Sequence, residues 1–132
     1  MKNMDNYYQT GVYYIQVDPH SIIELHHCQA RDFFVYCQEA VEGMVEVVYP
    51  QSLPKGYLML VNESGLLQHK KINPVGSVLY GDIIVGTIVL AKQIMTEDGP
   101  DIGGLESEEE VDALIDVIET QMGLFLIMSE EG

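Results

Sequence analysis

Alternating and continuous apolar runs along the first two thirds of the chain predict a β-sheet. Residues 12–17 (VYYIQV), 44–49 (MVEVVY) and 57–62 (YLMLVN) are rich in the β-branched and aromatic side chains that favour strands. Residues 83–91 (IIVGTIVLA) are nearly all apolar, which is typical of a strand covered on both faces. Gly86 within that run indicates a bulge or a close backbone approach. We therefore expect residues 83–91 to form the central strand.

Two more strands are predicted from local signals. Residues 67–72 (LQHKKI) follow Glu63-Ser64-Gly65, which has the composition of a hairpin turn after the 57–62 strand. Residues 124–128 (LFLIM) are apolar enough to predict a last strand after a helix that Gly123 would end.

Helices are predicted where apolar residues recur at helical spacing between suitable end signals. Residues 29–42 have this spacing, and Gly43 follows them as the residue expected to adopt the left-handed C-terminal conformation. Asn73-Pro74 provides an N-cap and a proline at the first helical position, so a short helix should run to Tyr80. The predicted buried face of the first helix consists of Ala30, Phe33, Phe34, Cys37, Ala40 and Val41.

A third helix is predicted near the C-terminus. Ser107 and Glu110 match the S-x-x-E capping box and open a helix over about 107–122, after a glycine- and proline-rich segment at 96–106 that is predicted to be a loop. Its apolar stripe consists of Val111, Leu114, Ile115, Ile118 and Met122. A stripe of this kind predicts that the helix is docked on the protein. The elements together predict a single α+β domain over residues 1–132, with an antiparallel or mixed sheet of five to six strands and two main helices.

Negative charge is concentrated in the C-terminal quarter. Residues 97–132 hold twelve carboxylates and no lysine or arginine, whereas residues 1–96 hold nine acids and all six bases. The tail therefore carries −12 of the net charge of −15. A field of one sign attracts a basic partner and repels nucleic acid and anionic membranes. It does not identify a reaction.

Two explanations of the acidic helix stay open: plain solvation of a docked helix, or binding of a basic partner. Glutamate is a good helix former, but exposed helices usually mix charges of both signs. The leading hypothesis is a non-enzymatic protein that binds a basic partner, such as a host nuclease or other defence protein, by imitating nucleic acid. A homo-oligomer is compatible with this hypothesis. The candidate protein-binding residues are Glu106, Glu108, Glu109, Asp112, Asp116 and Glu119.

An alternative of another class is a small-ligand protein that binds or sequesters a nucleotide signal. An anionic ligand needs cations, and the candidate ligand-binding residues are Arg31, Lys70 and Lys71. An enzyme ranks third, because the chain has no nucleophile elbow, phosphate-binding loop, dinucleotide fingerprint or zinc-protease motif. We therefore predict no catalytic residue and no cofactor.

Metal-like patterns are incomplete. His26-His27-Cys28 lacks the paired short spacings of a structural zinc site, and a surface turn at a helix start explains it better. Asp98, Gly103 and Glu109 fall at the first, sixth and twelfth positions of a calcium loop, but the third and fifth positions offer no side-chain oxygen. No metal site is predicted.

The expected location is the cytoplasm. No stretch approaches the roughly 18 consecutive apolar residues of a membrane span, and the first eleven residues lack the apolar core of a signal peptide. Thiols stay reduced in the cytoplasm, so Cys28 and Cys37 are expected to be free.

Four segments in order resemble one uncharacterised protein family. They are VEGMVEVV (41–48), LMLVNESGLLQ (58–68), INPVGSVLYGD (72–82) and IIVGTIVLA (83–91). The resemblance covers about residues 12–92, and the family consists of short proteins carried by phages, plasmids and conjugative elements of bacteria. It implies a mobile-element origin and a compact α+β fold. It transfers no catalytic residue.

Overall fold

A six-stranded sheet with helices on both faces forms the body of the protein. The computed structural model describes residues 4–131, and it describes side-chain surroundings for residues 7–127. The helices are α1 (Met4–Gln9), α2 (Phe33–Val41), α3 (Pro74–Tyr80) and α4 (Glu108–Glu131), and a 3₁₀ turn (Ala30–Asp32) precedes α2. The strands are β1 (Gly11–Val17), β2 (Ile23–Gln29), β3 (Val45–Val48), β4 (Tyr57–Asn62), β5 (Ile88–Thr96) and β6 (Gly99–Gly103).

All strand pairs in the sheet are antiparallel, which confirms the predicted α+β class. The strand order is β2-β1-β5-β4-β3. β5 is central: β4 pairs with one edge, while β1 and β6 share the other. The first half of β5 pairs with β1, for example Leu90 with Ile15. The second half of β5 pairs with β6, for example Lys92 with Gly103.

The strands bury side chains on both faces, in two separate clusters. On β4, Met59 and Val61 belong to the cluster under α3 and α4, whereas Leu58 and Leu60 belong to the cluster under α2. This alternation follows from the two-residue period of a strand. The sheet is therefore the middle layer of three, and α4 and α2 lie on opposite faces.

The predicted central strand is displaced along the sequence. Residues 88–91 are fully buried on β5, as expected, but the strand begins at Ile88 instead of residue 83 and continues to Thr96. Gly86 has a φ of 79°, which turns the chain into the strand, and its N–H donates to the carbonyl of Lys71. Before this turn, the N–H of Ile84 donates to Ser77 on α3. Residues 83–87 therefore connect α3 to the sheet.

The strand predicted at residues 67–72 is wrong. Residues 63–69 form turns instead, and Leu66 and Leu67 are 71% and 83% exposed. β3 and β5 occupy both edges of β4, so no edge is left for a hairpin partner. The side chain of Asn62 starts the turn, because its Oδ1 accepts a hydrogen bond from the N–H of Ser64.

The predictions for residues 29–42 and 96–106 need correction as well. α2 begins only at Phe33, and Phe34, which we assigned to its buried face, is 48% exposed. Glu42, not Gly43, adopts the left-handed conformation that ends α2. The predicted loop contains β6, because the chain turns tightly at Glu97-Asp98 and pairs back on β5.

α4 is longer than predicted. It does not end at Gly123, and the strand predicted at 124–128 is helical, although the side chain of Met128 lies outside the described ones. One helical glycine costs about 1 kcal/mol, and the leucine and methionine residues beside it favour the helix. Among the described residues, none belongs to a helix long and apolar enough to cross a membrane.

Candidate functional site

Hydrogen bonds fix the N-terminus of α4. The N–H of Glu110 donates to Oγ of Ser107 over 3.2 Å, which is half of the predicted capping box. The carboxylate of Glu110 accepts a hydrogen bond from the N–H of Glu106 over 2.9 Å. A complete capping box would use the N–H of Ser107, which is one residue later. The start of the helix is therefore capped, and the predicted start at Ser107 is confirmed within one residue.

The apolar stripe docks α4 on the sheet, as predicted. Val111, Leu114 and Ile118 are at most 2% exposed, and Ile115 and Met122 pack partly buried against the same cluster. This cluster also contains residues of β1, β4, β5 and α3. Since the docked side of α4 is largely apolar, most of the acidic residues of this helix lie on its exposed side.

Five carboxylates line the exposed side of α4. They are Glu108, Glu109, Asp112, Asp116 and Glu119, all exposed, and we call this set the acidic face. At 3.6 residues per turn they fall within an arc of about 100°. At 1.5 Å per residue they extend over about 16 Å along the helix axis. The docked helix thus holds a row of five negative charges toward solvent.

A lysine from the sheet pairs with two other carboxylates beside this row. Nζ of Lys92 on β5 lies 2.9 Å from Oε2 of Glu106 and 3.1 Å from Oε1 of Glu110. The Lys92 side chain is only 17% exposed, so water screens these ion pairs less than pairs on an open surface. Glu106, which the sequence placed among the binding residues, is therefore part of an ion-pair cluster next to the acidic face.

Tyr57 completes this ion-pair cluster. Its hydroxyl donates to Oε2 of Glu110 over 2.6 Å. The hydrogen bond to the carboxylate, followed by burial, raises the pKa of Tyr57 to about 12. Lys92 and Tyr57 were not predicted to belong to this site, because they lie on strands remote in sequence from α4. Tyr57 and Lys92 are direct partners across β4 and β5, and no local sequence pattern indicated this pairing.

The alternative cationic residues are not brought together. Lys70 forms an ion pair with Glu42 at 3.3 Å, just beyond the C-terminal end of α2. Arg31 lies in the 3₁₀ turn that precedes the N-terminus of α2. At a helical rise of 1.5 Å per residue, Arg31 is about 16 Å from Glu42 along the helix. Lys71 is exposed beside Lys70. The geometry does not favour an anion site made of these three residues.

The histidine and cysteine cluster lies on β2, which corrects the predicted turn and helix start. His26 stacks on Tyr14 with ring centroids 5.0 Å apart, and His27 lies against Tyr13 on the other face of the sheet. Neighbouring residues of a strand point to opposite faces, so His26 and His27 diverge. In the described part of the chain, no three potential ligands are grouped as a metal site.

Both cysteines are free, as expected. Burial raises the pKa of the Cys37 thiol well above its usual range, and the pKa of Cys28 is raised by burial and by the nearby carboxylate of Asp32. Thiolates are the reactive form of cysteine. Neither thiol therefore resembles an activated nucleophile.

Comparison with known proteins identifies a family and no individual relative. No curated protein and no solved structure matches the chain. A family match covers residues 12–110, which is 99 of the 132 residues and extends beyond the 12–92 of the resemblance as far as the first turn of α4. The chain belongs to the family described as a domain of unknown function, DUF3846.

Proposed function

We propose that this protein acts without chemistry of its own and binds a basic partner protein through the acidic face of α4. The observation that carries the proposal is the row of five exposed carboxylates on a helix whose opposite side is buried. A docked helix presents these charges in a fixed arrangement, so a partner does not lose binding free energy in ordering them.

The spacing of the row supports imitation of nucleic acid. Five charges over about 16 Å give one charge per about 4 Å of helix axis. One strand of duplex DNA carries one charge per about 3.4 Å of its axis. A basic groove that holds a nucleic-acid strand would therefore meet a similar density of negative charge on α4.

Long-range electrostatics support a basic partner over other classes. The net charge of −15 repels nucleic acid and anionic membrane surfaces. Association with a cationic groove would be fast at low salt and would weaken as salt rises. A nuclease or another nucleic-acid-binding defence protein of a host has such a groove. An inhibitor of this kind, carried by a mobile element, fits the origin that the resemblance implies.

Charge reversal on the acidic face tests the proposal. The variant carries Asp112→Lys, Asp116→Lys and Glu119→Lys, all on exposed positions opposite the buried stripe. Parent and variant are immobilised, exposed to bacterial lysate in about 0.05 M salt and eluted with about 0.5 M salt. Between these two salt concentrations the electrostatic screening length falls from roughly 14 to 4 Å. We expect the parent to release basic nucleic-acid-binding proteins at high salt, and short duplex DNA to compete for them.

A matched control separates the effect of the acidic face from the effect of net charge. Glu46→Lys, Glu63→Lys and Glu97→Lys change the net charge by the same +6 at exposed positions away from the acidic face. The control should retain the captured proteins and the charge-reversed variant should lose them. If the charge-reversed variant captures the same proteins as tightly as the parent at low salt, the acidic face only solvates the helix.

A further inference from the structure

A cavity lies on the face of the sheet opposite α4. It has a volume of about 420 Å³ and is lined chiefly by Tyr14, Gln16, His26, Cys28, Tyr36 and Glu39. The first four residues are on β1 and β2 and form its floor, whereas Tyr36 and Glu39 come from α2 and form one wall. We call this cavity the tyrosine pocket. It shares no residue with the acidic face or with the ion-pair cluster at Lys92.

The layout of the sheet explains why the tyrosine pocket is open. α2 packs over β4 and β5, and its apolar residues Phe33, Cys37 and Val41 are buried there. β2 is the edge strand, one strand beyond β1, so α2 does not reach across it. The register places Tyr14 beside His26, and their rings stack with an interplanar angle of 7°. Two parallel aromatic rings, stacked on each other, therefore lie next to the helix.

The charge of the tyrosine pocket is negative. Glu39 is exposed at its wall, and Glu24 borders its floor, where Oε2 accepts a hydrogen bond from Gln16 over 3.2 Å. Among the described residues, no lysine or arginine lines the pocket. Burial raises the pKa of Tyr14 to about 12, and the neighbouring Cys28, Cys37, Tyr36 and Glu39 add to the rise. The carboxylates of Glu24 and Glu39 disfavour an anion in this pocket and favour a cation.

One polar atom of the floor is buried without a hydrogen bond. Nε2 of His26 has no hydrogen-bond partner among the described residues and lies 3.9 Å from Oε2 of Glu24, which is too long for one. Buried polar groups in proteins are nearly always satisfied. The floor therefore carries one unsatisfied polar atom, whereas the N–H groups of a ligand in the cavity would donate to the exposed carboxylates of Glu24 and Glu39.

We infer that the tyrosine pocket binds the guanidinium or alkylammonium group of an organic cation. Tyr36, which is 42% exposed, offers an aromatic face to the cation, and Glu39 supplies the opposite charge three residues along the same helix. The stacked rings of Tyr14 and His26 form the apolar floor. Such a group could come from an arginine side chain of another protein or from a free polyamine.

Titration with matched probes tests this inference. N-acetyl-arginine amide represents a protein side chain, spermidine represents a free polyamine, and N-acetyl-citrulline amide is the uncharged analogue of the first. Binding is followed by backbone amide chemical shifts at low ionic strength. We expect arginine amide or spermidine to shift residues around Tyr36 and Glu39, and citrulline amide to bind at least about fivefold more weakly, as expected for losing a desolvated cation–π contact. The tighter of the two cations identifies the source.

Variants at two exposed residues decide whether the cation binds in the tyrosine pocket. Tyr36→Leu removes the aromatic face and Glu39→Gln removes the charge with little change of shape; each should weaken binding about threefold, and together about tenfold. Glu109→Gln, on the acidic face, is the matched control and should bind as the parent does. The inference is overturned if neither cation binds, if citrulline amide binds equally, or if the double variant is unchanged. Because Glu109 belongs to the other face, these outcomes do not depend on the proposed function.

Discussion

Replacing Asn73 by alanine should be among the most destabilising single changes in this protein. Asn73 is fully buried, and its side chain makes three hydrogen bonds. Oδ1 caps α3 by accepting from the N–H of Gly76, while Nδ2 donates to the carbonyls of Val17 and Gly86, each over 2.9 Å. One side chain thus joins the start of α3, the end of β1 and the turn before β5.

The magnitude follows from the three bonds. Loss of a helix cap costs about 1 kcal/mol. Each carbonyl left without its donor in the interior adds about 1–2 kcal/mol. The sum for Asn73→Ala is about 3–5 kcal/mol of unfolding free energy, a large part of the roughly 5–15 kcal/mol of a typical domain.

Urea unfolding followed by far-ultraviolet circular dichroism measures this free energy. Asn73→Ser is the informative control, because serine caps a helix about as well as asparagine but cannot donate to the two carbonyls. It should lose about 2–4 kcal/mol, roughly 1 kcal/mol less than alanine. A loss below about 1 kcal/mol for both variants would show that the bonds across the sheet contribute little.

Three further predictions concern α4 and its contacts. Leu114→Ala should cost about 2–5 kcal/mol, since Leu114 is fully buried; a loss below about 0.5 kcal/mol in urea unfolding would show an undocked helix. Gly123→Ala should stabilise the protein by about 0.5–1 kcal/mol and keep its helical circular dichroism, because Gly123 is helical and a Cβ there meets nothing within 4 Å. A destabilised variant would instead indicate that the helix ends at Gly123, as the sequence predicted. The pKa of Tyr57 is higher in the folded than in the unfolded protein, so its contribution to stability is complete below pH 10 and lost as the pH rises toward about 12. Tyr57→Phe should therefore flatten the fall in stability between about pH 10 and 12, and an unchanged slope would contradict the hydrogen bond to Glu110.

Local sequence signals predicted the elements whose structure is decided locally. The strand at 12–17 and the strand at 57–62 appear at β1 and β4, and Asn73-Pro74 starts α3 as its capping chemistry requires. The failures arise where the rest of the fold decides. Residues 67–72 have strand-like composition but find no free sheet edge, and residues 124–128 continue a helix that has already begun.

Only the part of the candidate site that depends on local sequence was predicted. The helical period of α4 was enough to place the acidic face opposite the buried stripe. The neutralisation of Glu106 depends on Lys92, which only the pairing of the sheet brings near. The alternation of Ile23, Glu24 and Leu25 was a usable strand signal for β2, but the adjacent His26-His27-Cys28 was interpreted as a surface turn at the start of a helix.

The residues that carry the family resemblance have structural explanations. Asn62 donates to the carbonyls of Val41 and Glu42 at the end of α2, and a Cβ on Gly65 would lie 2.7 Å from the side chain of Val85. Together with Asn73, these residues hold the turns around β4 and β5 in place. These turns form the structural scaffold that the resemblance covers.

The scaffold and the proposed binding surface meet at the start of α4. The family match ends at Glu110, whose carboxylate pairs with Lys92 of the central strand and thereby fixes the first turn of the helix. Asp112, Asp116 and Glu119 lie beyond that point, on turns whose apolar stripe packs against the core. Charge reversal at these three positions changes the surface without touching the scaffold, so a loss of binding there can be assigned to the acidic face itself.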